Sequence, residues 1–386
     1  MLEKLDDVPW SDLHHALGPA DDVPAQLRAL RSGEAGVREK ALWNLSRSVF
    51  HEGTRYEASA AAVPFLLELV ASPGTPARAA LIELLVALAI GDDGSHLPSA
   101  FPIDELRSAA AGREALPVGG GRPDRLDALT EADQDRLQAR IELNAYEAVG
   151  AGVPLFTALL SDGDVAVRRL AAGALGWFPG DDPAALTTSA LTSVLADEDA
   201  SVAATAAISL GLLGVAPEGA LSDPRELVRD AAAIALATVH GRAAPRAVTE
   251  RLLRRAGTEE RTEVPYLDGD LSGYAARSLR LVLPDDTDEA LDVLLTRIPA
   301  VRGPEALPVV DEALRWAFPG GPIAAGTPFG DLTERQRRVI RALAASPPTW
   351  QTLDRAVGDF LWLIGAYGLP RDAAGMRAYA GMASTP

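Results

Sequence analysis

Apolar positions recur at helical spacing along most of this chain. In "DVAVRRLAAGALG", which starts at Asp164, Val167, Leu170, Ala171, Ala174, Leu175 and, just beyond, Phe178 fall on one face of a helix. "DASVAATAAISLG", displaced by 35 residues, puts Val202, Thr205, Ala206, Ser209, Leu210 and Leu213 at the same places. "LVRDAAAIAL" does so again with Val228, Ala231, Ala232, Ala235, Leu236 and Val239. The alanines on this face let neighbouring helices approach closely. The pattern predicts helices over 37–50, 76–90, 165–178, 200–213 and 226–240, with weaker ones over 273–283 and 304–318. "LTERQRRVIRALAAS" and "TLDRAVGDFLWLIGAYGLP" read as two closing helices, the first opened by a capping box of Thr333 and Gln336.

A second self-similarity precedes these helices. "YEASAAAVP" (Tyr56–Pro64) and "YEAVGAGVP" (Tyr146–Pro154) share Y-E-A-x-x-A-x-V-P, and a Val-Pro pair also stands at Val23-Pro24. Fourteen residues after each proline comes an arginine: Pro24 to Arg38, Pro64 to Arg78, Pro154 to Arg168. An aspartate lies six residues before the arginine in Asp162–Arg168 and Asp223–Arg229, but Ser32 and Ser72 replace it elsewhere, and Ala203 replaces one arginine.

These residues resemble the HEAT-repeat family, whose unit is a proline-bearing first helix, a tight turn with aspartate, and a second helix opening with Val-Arg. The "VR..AA.AL" wording is most similar to bacterial HEAT-like repeats, including those of bilin-lyase type and many actinobacterial proteins. The resemblance covers residues 20–90 and 144–240. It implies an all-α, right-handed α-solenoid of about seven or eight helix pairs, with one loop insertion. It also implies a structural ladder of Arg38, Arg78, Asp162, Arg168, Asp223 and Arg229, interrupted where the pattern fails. The expected division is 1–90, N-terminal repeats; 91–130, a Gly/Pro-rich insertion or degenerate repeat; 131–330, central repeats; and 331–386, C-terminal capping helices. The insertion is read from spacing: matched prolines 24 and 64 lie 40 apart, whereas 64 and 154 lie 90 apart. Gly119-Gly120-Gly121 between Pro117 and Pro123 suggests a loop, of the length that is commonly functional or disordered.

Composition narrows the function. Lys plus Arg total 36 against 54 Asp plus Glu, a net charge of −18. Such a surface repels phosphate backbones, so nucleic acid is an unfavourable partner and a basic protein a favourable one. Cys is absent, which excludes thiolate metal sites and cysteine nucleophiles. The five histidines show no i, i+4 pair, so neither a metal nor a cofactor is expected. His14-His15 read as an exposed pair. The arginines of "RLLRRAG" and "RQRRVIRAL" read as solvated helix faces. "MLEKLDDVPW" lacks the pattern of a signal peptide, and "ALIELLVALAIG" is too short to span a bilayer, so a cytoplasmic location without membrane contact is expected.

One stretch is chemically dense: "FHEGTRYEAS", Phe50–Ser59. Gly53 is placed to end a helix and Thr54 with Glu57 to cap the next, so most of it reads as a helix joint. Lys40, Asn44, Arg47 and His51 fall on one helical stripe beside Trp43, and Arg55 continues it. These six are the candidate partner-binding residues; the competing reading is the polar outer face of a terminal repeat. The expected function is that of a non-catalytic scaffold or adaptor binding a protein or peptide. The alternative is a regulatory or toxin-neutralising, immunity-type binder. An enzyme resembling HEAT-like DNA glycosylases conflicts with the acidic charge, and a bilin-lyase type rests on the repeat wording alone.

Overall fold

In the computed structural model, residues 2–112, 129–180, 183–302, 306–324, 326–351 and 356–382 are described, the side chains of 183–185 and 356–359 excepted. Helices dominate, as the 3.6-residue periodicity requires. The Gly119–Gly121 loop lies outside the described residues. The chain divides into two compact units, one running to Val215 and the other from Ala216. That division falls inside the stretch 131–330, which the repeat pattern treats as one block.

In the first unit, helix pairs follow one another. α1 (Val23–Ala29) packs on α2 (Ala35–Val49), and α3 (Glu57–Ala71) on α4 (Arg78–Ile90). α5 (Ile103–Ala110) and the long α6 (Glu131–Gly150) come next, then α7 (Val153–Leu159) against α8 (Val165–Leu175) and α9 (Pro183–Val194) against α10 (Ala200–Leu212). α8 lies between α4 and α10. Their shared faces are the alanine-rich ones: Val167, Leu170, Ala171, Ala174, Val202, Ala206 and Leu210 are all buried. The proline sits differently in the two matched copies. Pro64 lies inside α3, whereas Pro154 opens α7, where its missing N–H costs no hydrogen bond.

The second unit runs α11 (Glu226–His240), α12 (Arg246–Ala256), α13 (Leu271–Val282), α14 (Glu289–Arg297), α15 (Ala306–Ala317), α16 (Glu334–Ala345), α17 (Ala356–Ala366) and α18 (Ala373–Tyr379). α11, α13, α15 and α17 pack in succession, and α12, α14, α16 and α18 do the same beside them. The capping box at α16 is present, with Thr333 N–H donating to Gln336 and Gln336 N–H to Thr333. Three helices rather than two close the chain.

"RLLRRAG" is a solvated face only at Arg254, which is exposed: Arg251 and Arg255 are buried against Asp230 of α11. Burial raises the Asp230 pKa while the two guanidiniums oppose it. The arginines of α16 do lie at the surface, paired with Asp288, Asp292 and Glu334.

The arginines singled out by the repeat do a different job from a simple Asp–Arg pair. Arg38, Arg168 and Arg229 each donate through Nη1 to the backbone carbonyl six residues earlier, of Ser32, Asp162 and Asp223, at 2.8, 2.9 and 2.6 Å. Because the acceptor is backbone, Ser32 serves as well as aspartate. The carboxylates instead join successive pairs. Arg78 Nη2 reaches Asp162 Oδ2 at 2.7 Å, and Arg168 grips Asp197 through Nε and Nη2 at 2.9 and 3.1 Å. Ala203 has no guanidinium to continue the series, and Asp223 pairs with Arg225, two residues along, at 2.8 Å.

Replacing Arg168 by Ala removes both groups of bonds and takes the guanidinium from the Asp197 carboxylate, whose side chain is 12% exposed and which keeps the Asp199 N–H as a donor. A loss of about 2 kcal/mol is expected in chemical denaturation; a midpoint equal to wild type would show that the bridge is dispensable. The hydrogen bond from Arg78 holds the Asp162 carboxyl below the usual carboxylate range. A pKa depressed on folding gives stability that is complete above about pH 4 and is lost as pH falls through the folded value. Asp162→Asn should therefore flatten the acid limb of the stability–pH curve.

Candidate functional site

"FHEGTRYEAS" is a helix joint, but it joins α2 to α3 through a β-hairpin and not through a helix end at Gly53. α2 stops at Val49, and strands β3 (Phe50–His51) and β4 (Thr54–Arg55) pair antiparallel, in register Phe50 with Arg55 and His51 with Thr54. The loop residues Glu52 and Gly53 have φ of +48° and +84°. Two positive φ values are what a two-residue hairpin loop of matching twist demands, and glycine in second place is the usual solution. The expected Thr54–Glu57 box is not used. Tyr56 caps α3, its N–H donating to Ser59 Oγ at 2.7 Å, and Glu57 accepts from the N–H of His14 instead.

The hairpin redirects Arg55. It is 6% exposed and does not continue the α2 stripe. Its Nη2 meets Glu142 Oε2 of α6 at 2.9 Å and its Nη1 donates to the carbonyl of Gly53 at 2.8 Å, while its Nε–H has no acceptor. Gln138 ties the assembly down, donating to the Arg55 carbonyl and to Glu142. Burial lowers the Arg55 pKa from its ordinary value, and Glu142 works against that.

Beside this ion pair opens a cleft of about 620 Å³ between the hairpin, the end of α4, the segment after it and α6. Glu52, Asp92 and Glu105 bring carboxylates to it, and Ile90, Phe101 and Leu106 supply apolar wall. His96 shares the lining; its Nε2–H donates to the Ile90 carbonyl at 2.8 Å, which leaves Nδ1 as the acceptor of the neutral ring. Behind it runs an aromatic series. His96 meets Phe101 edge-on at 4.8 Å, Phe101 stacks on Tyr146 at 5.1 Å, and Tyr146 tilts against Phe178 at 4.9 Å. Tyr146 donates its hydroxyl to the Trp177 carbonyl at 2.8 Å, and burial pushes its phenol up to about 12, with Arg107 opposing. The insertion thus includes a helix, α5, and builds one wall of the cleft.

The rest of the sequence-derived stripe is exposed on α2. Lys40, Trp43 and Arg47 face solvent, Asn44 is half-buried, and Arg47 lies over the Trp43 ring at 4.5 Å. Trp43 itself is 58% exposed. His51 falls in β3, beyond the helix.

The N-terminal segment lies chiefly on α3. Trp10 packs on Phe65, and the Leu2 N–H donates to Glu68; the segment meets α2 at its last turn, where Ala16 N–H donates to Ser48. His14 and His15 form a strand (β1) paired with Gly18–Pro19 (β2), and His15 is buried against Asp22 at 2.8 Å, so the exposed-pair expectation fails.

Among the described residues, no group of three or more His, Asp or Glu side chains is placed to hold a metal ion, and no helix is long and apolar enough to cross a membrane. Of the cleft residues, sequence reasoning singled out Arg55 as a site residue and passed over Glu52, Glu105 and Glu142. The break in proline spacing between Pro64 and Pro154 was the signal available for Glu105 and Glu142, and Glu52 lies outside it.

No family profile matches the chain, and no curated protein matches it. Among solved structures, the chain is similar to the crystal structure of one engineered protein at 18% identity, over 94% of this chain and 97% of the other, with a TM-score of 0.30. A second engineered protein is similar at 18% identity over 71% and 98%, with a TM-score of 0.26. Likeness at that level says nothing about function.

Gly91 ends α4 against the Arg55 side chain. Its φ is +75°, and a Cβ there would stand 2.6 Å from Arg55 Nη1. Gly91→Ala should cost about 1–3 kcal/mol in chemical denaturation, from backbone strain and a displaced guanidinium. An unchanged midpoint would show that the Arg55–Glu142 geometry tolerates movement.

Proposed function

We propose that the chain is a non-catalytic binding protein of HEAT-like, right-handed α-solenoid type, which engages a protein or peptide partner through the outward face of α2. The observation that carries this reading is Trp43, an exposed indole held under the Arg47 guanidinium. An exposed tryptophan exchanges poorly solvated surface for contact when a partner covers it, and Trp and Arg are the residues that dominate interface energetics. Lys40 and Asn44 flank the pair with polar groups suited to a rim. The succession of packed helix pairs supports the solenoid reading, since such arrays present broad surfaces rather than deep pockets.

The charge of −18 favours a second reading, an immunity-type binder covering a basic partner. Lys40 and Arg47 make the α2 face locally cationic, so a basic partner would meet carboxylates elsewhere on the chain.

Trp43→Ala and Arg47→Glu test the first reading. Affinity capture from the native cell, with mass-spectrometric identification, should yield a partner with wild type whose recovery falls about tenfold or more with either variant. Far-ultraviolet circular dichroism should stay unchanged, because both side chains are at the surface. A partner retained equally by both variants would place binding elsewhere.

A further inference from the structure

We propose that the exposed face of α2 receives an acidic amphipathic helix of a partner protein, one with carboxylates two turns apart on either side of an apolar residue. The proposal rests on the reading of α2 as the partner-binding face and names the chemistry of what that face takes.

The fold supplies the reason for a helix. α2 and α8 open in one register: Ala35 begins α2 three residues before Arg38, and Val165 begins α8 three residues before Arg168. In that register Val37, Lys40, Trp43 and Arg47 match Val167, Leu170 and Gly173 of α8 and Trp177 just after it, all four of them buried. Val202, Thr205, Ile208 and Leu212 of α10 hold the same places and are buried too. On α2 all four positions are exposed, Trp43 by 58% and Val37 by 40%. The side that the matched helices bury in helix-on-helix packing is therefore open here, and it still carries two apolar residues. A helix serving only to cap the array would have polar residues at both.

Charge selects which helix. Lys40 and Arg47 lie seven residues apart, two turns or about 10.5 Å along the axis. Neither has a carboxylate partner among the described residues, and Arg47 lies over the Trp43 ring at 4.5 Å. A partner helix running along α2 rises at the same rate, so residues seven apart on it fall opposite Lys40 and Arg47, with the residue midway on Trp43. Two Glu or Asp with a Leu, Met or Phe between them answer all three side chains. The carboxylates gain charge-assisted hydrogen bonds, and covering the indole removes apolar surface from water. Glu39 is exposed one turn before Trp43, on the side away from Lys40, and weakens the attraction for an acidic partner. The charge of −18 on the whole chain acts less strongly, because charges more than about 8 Å apart are screened at physiological ionic strength.

Fluorescence anisotropy on the full chain tests this with labelled synthetic helices of about twenty residues. One has two Glu seven apart flanking a Leu in an Ala-rich host. The second has Lys in place of both Glu, and the third is the Glu peptide with a proline in mid-sequence. The Glu helix should bind with a Kd below about 1 mM, and the Lys helix about tenfold or more weakly. The proline peptide, which cannot form the continuous helix, should be as weak as the Lys helix. Lys40→Glu with Arg47→Glu should transfer the preference to the Lys helix, and Glu39→Lys should strengthen the Glu helix. All three positions are exposed, so far-ultraviolet circular dichroism should not change.

No saturable binding of the Glu helix, equal binding of the Glu and Lys helices, or a preference unaltered by the double reversal would each overturn the proposal. A dimer in sedimentation that Trp43→Ala abolishes and the Glu helix does not displace would also overturn it, by making a second copy the occupant. If the peptides fail while capture from the native cell still depends on Trp43, the α2 face stands and only the acidic helix is removed. If capture is independent of Trp43 as well, the face itself is removed.

Discussion

Arg168 holds three things at once. Its Nη1 closes the turn before its own helix by binding the Asp162 carbonyl, and its Nε and Nη2 take both oxygens of Asp197 in the following turn. The guanidinium is planar and presents its donors in a fixed fork, so accepting both partners sets the distance and rotation between successive helix pairs. Arg78 repeats the arrangement one step earlier, binding the Val70 carbonyl and Asp162. The two bridges meet at Asp162, whose carboxylate and carbonyl serve different arginines. With α4, α8 and α10 thus spaced, their small apolar faces come into contact, and alanines suffice to fill the space between them.

The cleft depends on a similar economy of position. The hairpin after α2 turns Arg55 inward, where α6 meets it with Glu142. Behind the cleft, Phe101 stacks on Tyr146, and Tyr146 is anchored through the Trp177 carbonyl. Tyr146 belongs to the repeat, whereas Phe101 belongs to the insertion, so the added segment is attached through a side chain that the repeat already supplied. The carboxylates of Glu52 and Glu105 are left at the open side because neither hairpin loop nor α5 brings a cation to them among the described residues.

Local pattern carried much of the fold. The span 226–240 matches α11 to the residue, and the other spans agree to within a few residues, because a buried helical face writes its period directly into the chain. Where interpretation failed, a local motif had two physical solutions. "EGTRYEAS" satisfies a helix C-terminus followed by a capping box, and equally a two-residue hairpin followed by a Tyr56–Ser59 cap. Pairing of Phe50 with Arg55, and the burial of Arg55 against a carboxylate 87 residues later in the chain, select the second. Arg251 and Arg255 were misread for the same reason: a guanidinium is solvated unless a distant carboxylate, here Asp230, meets it in the interior.

Residue type and spacing were enough to establish a mainly helical chain, the places where its helices run, the recurring arginines, and a polar helical stripe of Lys40, Asn44 and Arg47 with Trp43 beside it. Helical neighbours three and four residues apart are close whatever the rest of the chain does, and the fourteen-residue recurrence is read from residue type alone. The partners of the arginines, the inward turn of Arg55 and the gathering of Glu52, Glu105 and Glu142 around one cleft were decided by packing between distant segments. An ion pair between residues 55 and 142 leaves no periodic trace, because its distance in space is set by every helix folded in between.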